Sequence, residues 1–153
     1  MNICNTHNHC IDSAINKAEE ICLKNNLQFT RLRRSILKLI WESHVPLRAY
    51  DILERLNVSE TSAKPITVYR ILDFLLENKL IHKLESQNSF LGCTHPGEEH
   101  NCYFIICKKC QVVEEGCKED ILKTIYSSLD KQNFLPLHIT LEIQGICKNC
   151  SNL

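Results

Sequence analysis

The stretch Lys64–Cys93, KPITVYRILDFLLENKLIHKLESQNSFLGC, decides how this chain folds. Pro65 suits the first turn of a helix, where its missing N–H leaves nothing unpaired. Val68, Ile71, Leu72, Leu75 and Leu76 recur at the spacing of one buried helical face and predict a helix running to about Lys79. Lys64, Thr67, Tyr69 and Arg70 are polar and gather at its N-terminal end. Leu80–Leu84 and Phe90–Cys93 then read as two short extended segments, and Glu85–Ser89 between them has the composition of a hairpin turn. A helix followed at once by a hairpin is the closing half of a winged helix. In such proteins the N-terminal end of that helix is offered to the DNA major groove.

Working toward the N-terminus, Thr30 is a good N-cap for a preceding helix, with Leu32, Ile36, Leu37, Ile40 and Trp41 on its buried side. The run Gln28–Trp41 holds Arg31, Arg33, Arg34 and Lys38 and no acid, a local positive face suited to phosphate contact. A solvated helix face is the plain alternative. Ile52, Leu53 and Leu56 mark a third helix over about Arg48–Leu56. Ile15, Ala18, Ile21 and Cys22 mark another from Asp12 to Asn25, behind a polar segment 1–11 that reads as flexible. Together these define a DNA-binding winged-helix domain over residues 12–93.

In the other direction, Thr94–His100 contains Pro96-Gly97 and marks a hinge, set at residues 94–101. Beyond it the pattern changes. Tyr103–Cys107 and Gln111–Glu115 read as strands about a tight Cys107–Cys110 turn. Asp120–Gln132 reads as a helix gathering Ile121, Leu122, Ile125 and Leu129, and His138–Ile143 as a strand ending at Gly145. The fold class expected is therefore α+β: a winged-helix domain and a small C-terminal α/β domain over residues 102–153. A unit of about 50 residues has a thin core. Dimerisation through its sheet or helix supplies the missing burial and protects edge strands.

Composition limits the function classes. The chain has 153 residues, with 18 basic and 18 acidic side chains. Net charge thus says nothing about partners, and its distribution says little: residues 1–92 carry 12 basic and 10 acidic groups, residues 93–153 carry 6 and 8. No apolar run approaches the roughly 18 residues of a membrane span, and Met1–Cys10 lacks the pattern of a secretory signal. A cytoplasmic location is the expectation. Ten cysteines would suit a disulfide framework in an exported chain, but in a reducing cytosol they point to metal.

Cys107-x-x-Cys110 with Cys147-x-x-Cys150 is the strongest motif. A two-residue gap lets both thiolates of a pair turn onto one ion, and two pairs complete a tetrahedron. Four soft anionic donors favour zinc, although iron–sulfur clusters use the same set. With no open position, such an ion holds shape. A second candidate set is His82, Cys93, His100 and Glu115, scattered about the hinge. One ion shared by all four would fix the orientation of the two domains and couple metal to DNA affinity. Taken singly, each has a plainer reading as a packed or solvated residue. Cys4, His7, His9 and Cys10 offer incidental ligands in a tail. Cys22 and Cys117 are expected to pack as small hydrophobes, and Cys102 to pack near the linker or compete for the hinge ion.

Several motifs together resemble a known family. Lys64–Leu75 resembles the recognition helix of the ferric uptake regulator family. Ile81–Phe90, Cys93, Val113-Glu114-Glu115 and Gly145-Ile146-Cys147-x-x-Cys150 resemble its zinc uptake regulator branch. The likeness covers about residues 12–150. It implies a cytoplasmic homodimer that, loaded with zinc, binds an AT-rich inverted repeat in double-stranded DNA and represses zinc-acquisition genes. It places a structural zinc on Cys107, Cys110, Cys147 and Cys150, and a regulatory zinc on His82, Cys93, His100 and Glu115, giving two Zn(2+) per subunit. Arg70, Tyr69, Thr67 and Lys64, with Arg31, Arg33 and Arg34, are the DNA contacts expected. Arg31-Leu32 departs from the family's usual Pro-Gln, and Gln144 stands where a His often occurs, so no complete third site from His138 and Glu142 is expected. An iron or peroxide sensor is the alternative within the family. Outside it, a zinc-stapled protein adaptor remains. A zinc hydrolase or deaminase is disfavoured because no His-x-Glu or His-Glu-x-x-His unit exists, and neither a membrane nor a small-molecule substrate is expected.

Overall fold

Thr30 accepts a hydrogen bond from the Arg33 N–H at 3.4 Å, the N-cap that opens helix α2 (Arg31–Glu42). The computed structural model describes residues 7–43, 45–59, 63–97, 102–117, 119–137 and 139–151. The chain divides into two compact units between residues 98 and 99, inside the stretch 94–101 read as a hinge.

The first unit contains α1 (His7–Lys24), α2, α3 (Ala49–Ser59), α4 (Pro65–Glu77) and the antiparallel hairpin β1 (Ile81–Leu84) and β2 (Ser89–Gly92). Ile36, Leu37 and Ile40 from α2, Ile52 and Leu56 from α3, and Val68, Ile71, Leu72 and Leu75 from α4 meet in one core. Leu32 and Trp41 line its margin. The hairpin register runs from Ile81 opposite Gly92 to Leu84 opposite Ser89. Leu47, in the α2–α3 connection, exchanges two backbone hydrogen bonds with Phe90 at 2.9 and 2.8 Å and so clasps the wing to the helices. Trp41 lies against Gly92, where any Cβ would collide with its indole.

Three differences from the sequence reading have physical causes. Helix α1 begins at His7, within the segment 1–11 read as flexible, because Ile11 extends the buried stripe of Ile15, Ala18 and Cys22 by another turn. Phe74, outside the expected α4 face, is buried beneath the Arg33 guanidinium, which sits 3.4 Å above its ring centroid. The expected linker is also tied down at its start: Cys93 N–H donates to Leu80 O at 3.1 Å and Gly97 N–H to Lys79 O at 3.4 Å. Gly97 takes φ +80°, a left-handed conformation that disfavours other residues.

The second unit is a three-stranded sheet in the order β4 (Val113–Gly116), β3 (Tyr103–Cys107), β5 (Leu141–Gly145), with α5 (Glu119–Asp130) and the single turn α6 (Lys148–Ser151). β3 runs antiparallel to β4 and parallel to β5. Of the four apolar residues expected to pack together on α5, Leu122 is buried, Ile125 and Leu129 are half-buried, and Ile121 is exposed. Phe134, Leu135 and Leu137 beyond it are 60%, 84% and 98% exposed. No helix among the described residues is long and apolar enough to cross a membrane.

Candidate metal centres and nucleic-acid interface

The parallel register of β3 and β5 explains how two cysteine pairs 40 residues apart meet. It sets Cys107, the last residue of β3, opposite Gly145, the last of β5, so both chains leave the sheet at the same end. After β3 the chain turns through Cys107–Cys110, closed by Gln111 N–H donating to Cys107 O at 2.9 Å and by Lys108 N–H donating to Gly145 O at 2.8 Å. After β5, Cys150 N–H donates to Cys147 O at 2.9 Å and forms the matching knuckle. Lys109 Nζ, donating to Cys150 O at 3.0 Å, ties one knuckle to the other.

The Sγ atoms of Cys107, Cys110, Cys147 and Cys150 all lie within 4.8 Å of one another. Cys110 and Cys147 are separated by 3.8 Å, and tetrahedral zinc with bonds of about 2.3 Å calls for sulfurs about 3.8 Å apart. The donor set and spacing therefore fit the ion. Backbone N–H groups are aimed at the cluster as well. Those of Cys110 and Cys147, with that of Lys109, hold the Cys107 thiol down to about 6, so one member is largely ionised at neutral pH. Hydrogen bonds with the Cys147 and Cys110 thiols push Cys150 up to about 12.

The second candidate set divides between the units. His82 on β1 is half-buried, Cys93 just past β2 is buried, and their ligand atoms lie within 4.8 Å of each other. Glu115, half-buried on β4, belongs to the second unit, where it accepts from the Cys102 thiol at 3.0 Å and the Cys117 thiol at 3.8 Å. His100 and His138 lie outside the described residues, as do Cys4 and the side chain of His7 in the N-terminal cluster. Cys22 packs in the core as expected. Cys117 does not simply pack: it shares a carboxylate with Cys102. Burial, together with the hydrogen bonds to Cys117 and Glu115, pushes the Cys102 thiol well above its ordinary range. Alternation sets Glu115 and Cys117 on one side of the chain, but no sequence signal placed Cys102 beside them.

On α4, Tyr69 and Arg70 are exposed, as are Lys64 and Ile66 before them, while Thr67 is half-buried in the first turn. Tyr69 keeps 53% and Ile66 58% of its surface open. An apolar and a phenolic side chain left in solvent beside a guanidinium make a face for base edges and thymine methyls. The α2 arginines differ from one another. Arg34 pairs with Glu19 of α1, and Arg33 donates to Gln28 O while stacking on Phe74. Both are tied to neighbours within the domain; Arg31 and Arg34 are exposed and Arg33 is half-buried.

A winged helix with an open recognition-helix face, joined to a small sheet carrying four convergent thiols, defines a metal-dependent DNA-binding regulator. The family model described as "Ferric uptake regulator family" matches residues 24–144. The chain is 38% identical to the zinc uptake regulation protein of Escherichia coli (strain K12) over 136 residues, covering 88% of this chain and 79% of that one. A solved zinc uptake regulator complexed with zinc and DNA superposes with TM-score 0.86 at 35% identity, covering 93% of this chain and 95% of that one. Holo XcZur superposes with TM-score 0.82 at 34% identity, covering 92% and 99%. The chain belongs to the ferric uptake regulator family, in its zinc uptake regulator branch, and that family is one of transcriptional regulators rather than enzymes.

Proposed function

We propose that this chain is a zinc-responsive transcriptional repressor that binds an AT-rich inverted repeat in double-stranded DNA as a homodimer and represses zinc-acquisition genes. The observation that carries the reading is a buried thiol, Cys93, beside His82 at the base of the wing of a DNA-binding domain. A thiolate and an imidazole are softer donors than the carboxylate-rich sets that suit iron, and they favour zinc. The regulatory set is His82, Cys93, His100 and Glu115, with two ligands at the wing and Glu115 on the sheet of the other unit. Cys107, Cys110, Cys147 and Cys150 form the structural set, giving two zinc ions per subunit.

Zinc, when bound, supplies a cross-link among these side chains. The residues do the rest. The wing positions His82 and Cys93, and the clasp between Leu47 and Phe90 passes any restraint on the wing to the helices. Arg70 reads a guanine edge, and Tyr69 meets a thymine methyl or a phosphate. Lys64, Thr67 and Arg31 hold the backbone, while Arg33 and Arg34 set the pose of α2 through Phe74 and Glu19. Homodimerisation buries the open apolar residues of the second unit, including Ile121, Tyr126 and Ile143, and doubles the reading heads to match an inverted repeat.

The test is a titration of the purified protein with zinc, following metal stoichiometry and operator binding together, with ferrous iron and manganese as comparisons. The four-cysteine site and the His82–Cys93 site are expected to take one zinc ion each per subunit, with operator affinity that rises as the second of these fills. Equal affinity with the structural site alone filled would overturn the reading.

A further inference from the structure

The antiparallel ladder between β3 and β4 ends with Tyr103 opposite Gly116. Tyr103 turns its ring across Gly116, where a Cβ would strike it, and so occupies one face of the sheet. The next pair outward is Cys102 opposite Cys117, and alternation turns both to the other face. Glu115, paired with Phe104, lies on that same face. Three potential ligands from two strand ends therefore converge, and the structure records the convergence. Both thiols donate to Glu115 Oε1, at 3.0 Å from Cys102 and 3.8 Å from Cys117. A tetrahedral zinc with bonds of about 2.3 Å to sulfur and about 2.1 Å to oxygen needs S···O separations of about 3.5 Å, which these two bracket. Two thiol protons directed at one carboxylate oxygen occupy the place of a single divalent cation.

We propose that Cys102, Cys117 and Glu115 form a further metal site wholly within the C-terminal unit, taking zinc or a similarly soft divalent cation through two thiolates and a carboxylate. Thiolate sulfur and carboxylate oxygen are each zinc ligands, and a site of three protein ligands leaves water to complete four-coordination. The site shares Glu115 with the regulatory set but needs none of His82, Cys93 or His100. It therefore stands whether or not the regulatory reading does.

The test uses full-length protein carrying His82→Ala, Cys93→Ser and His100→Ala, with its four-cysteine site loaded with zinc. Cobalt(II) alone is then added. Uptake of one further ion per subunit, with thiolate-to-cobalt charge-transfer absorption, is expected. Adding Cys102→Ser and Cys117→Ser should abolish that absorption, and Cys102→Ser alone should roughly halve it. Retention of the structural zinc and of the far-ultraviolet circular dichroism spectrum reports that each variant is folded. No further ion, or uptake whose spectrum is indifferent to both cysteines, overturns the proposal. If the triple variant still tightened on its operator with zinc, the regulatory reading would fail instead, an outcome the cobalt spectrum does not touch.

Discussion

Cys107 and Cys150 are the same residue chemically and opposite ones in this fold. Backbone N–H donors hold Cys107 at about 6, below its ordinary 9.0, while neighbouring thiols push Cys150 up to about 12. Because the folded value of Cys107 is depressed, its contribution to the stability of the metal-free protein is complete above pH 9 and is lost as pH falls through 6. Zinc must displace whatever protons its ligands still carry. The protons released per zinc at this site should therefore fall by about one as the pH is raised from 5 to 7 and Cys107 ionises on its own. Calorimetry in buffers of different ionisation enthalpy measures that number, and a count that stays flat would refute the assignment. Cys107→Ser should lower the thermal transition of the C-terminal unit, since it removes the folding energy that bound structural zinc adds. The transition of the winged-helix unit should persist, so differential scanning calorimetry separates the two. Ser89 is the opposite case: the residue is 2% exposed and its buried hydroxyl has no hydrogen-bond partner among the described residues. Ser89→Ala should leave the wing intact and either match the parent or exceed it by up to about 1 kcal/mol in urea denaturation.

Among the elements, α4 carries the proposed reading residues on an open face, since Tyr69 and Arg70 stay exposed while Val68, Ile71 and Leu72 are buried. Arg70→Ala should cost about 1–3 kcal/mol on operator DNA and little on a scrambled duplex, as expected for loss of a base contact. Anisotropy titrations at matched salt decide it, and equal losses on both duplexes would reassign Arg70 to phosphate. Arg33→Ala should instead destabilise the domain by about 0.5–2 kcal/mol, because it removes the stack that covers Phe74. Helical and strand periodicity made the α2 and α4 faces, the hairpin and the paired knuckles legible in sequence, because each is a local pattern. What stayed hidden depends on neighbours distant in the chain. The stripe of α1 could be followed back to Ile11 only once the core it enters was known. Phe74 lies off its helix's apolar face and needs Arg33 to cover it. Cys102 and Cys117 acquire their relation from a register that no spacing states.

For the whole molecule, the proposed regulation is a claim of linkage between two ligands, zinc and DNA. If His82, Cys93, His100 and Glu115 hold one ion only when the recognition helices are poised for the operator, each ligand must tighten the other by the same factor. Couplings of this kind run to about 5–150-fold. Operator DNA should therefore raise the affinity of the second zinc by the factor with which that zinc raises operator affinity, and scrambled DNA should do so far less. Competition against a chromophoric chelator, with and without operator, gives the first factor, and anisotropy gives the second. Cys93→Ser should reduce both toward unity while the protein stays dimeric with its four-cysteine site filled, because Cys93 lies in the wing unit and the four-cysteine cluster in the other. A dimer whose two factors differ would mean that zinc acts on something other than the DNA-binding state. A Cys93→Ser protein that kept both factors would remove the wing ligand from the switch.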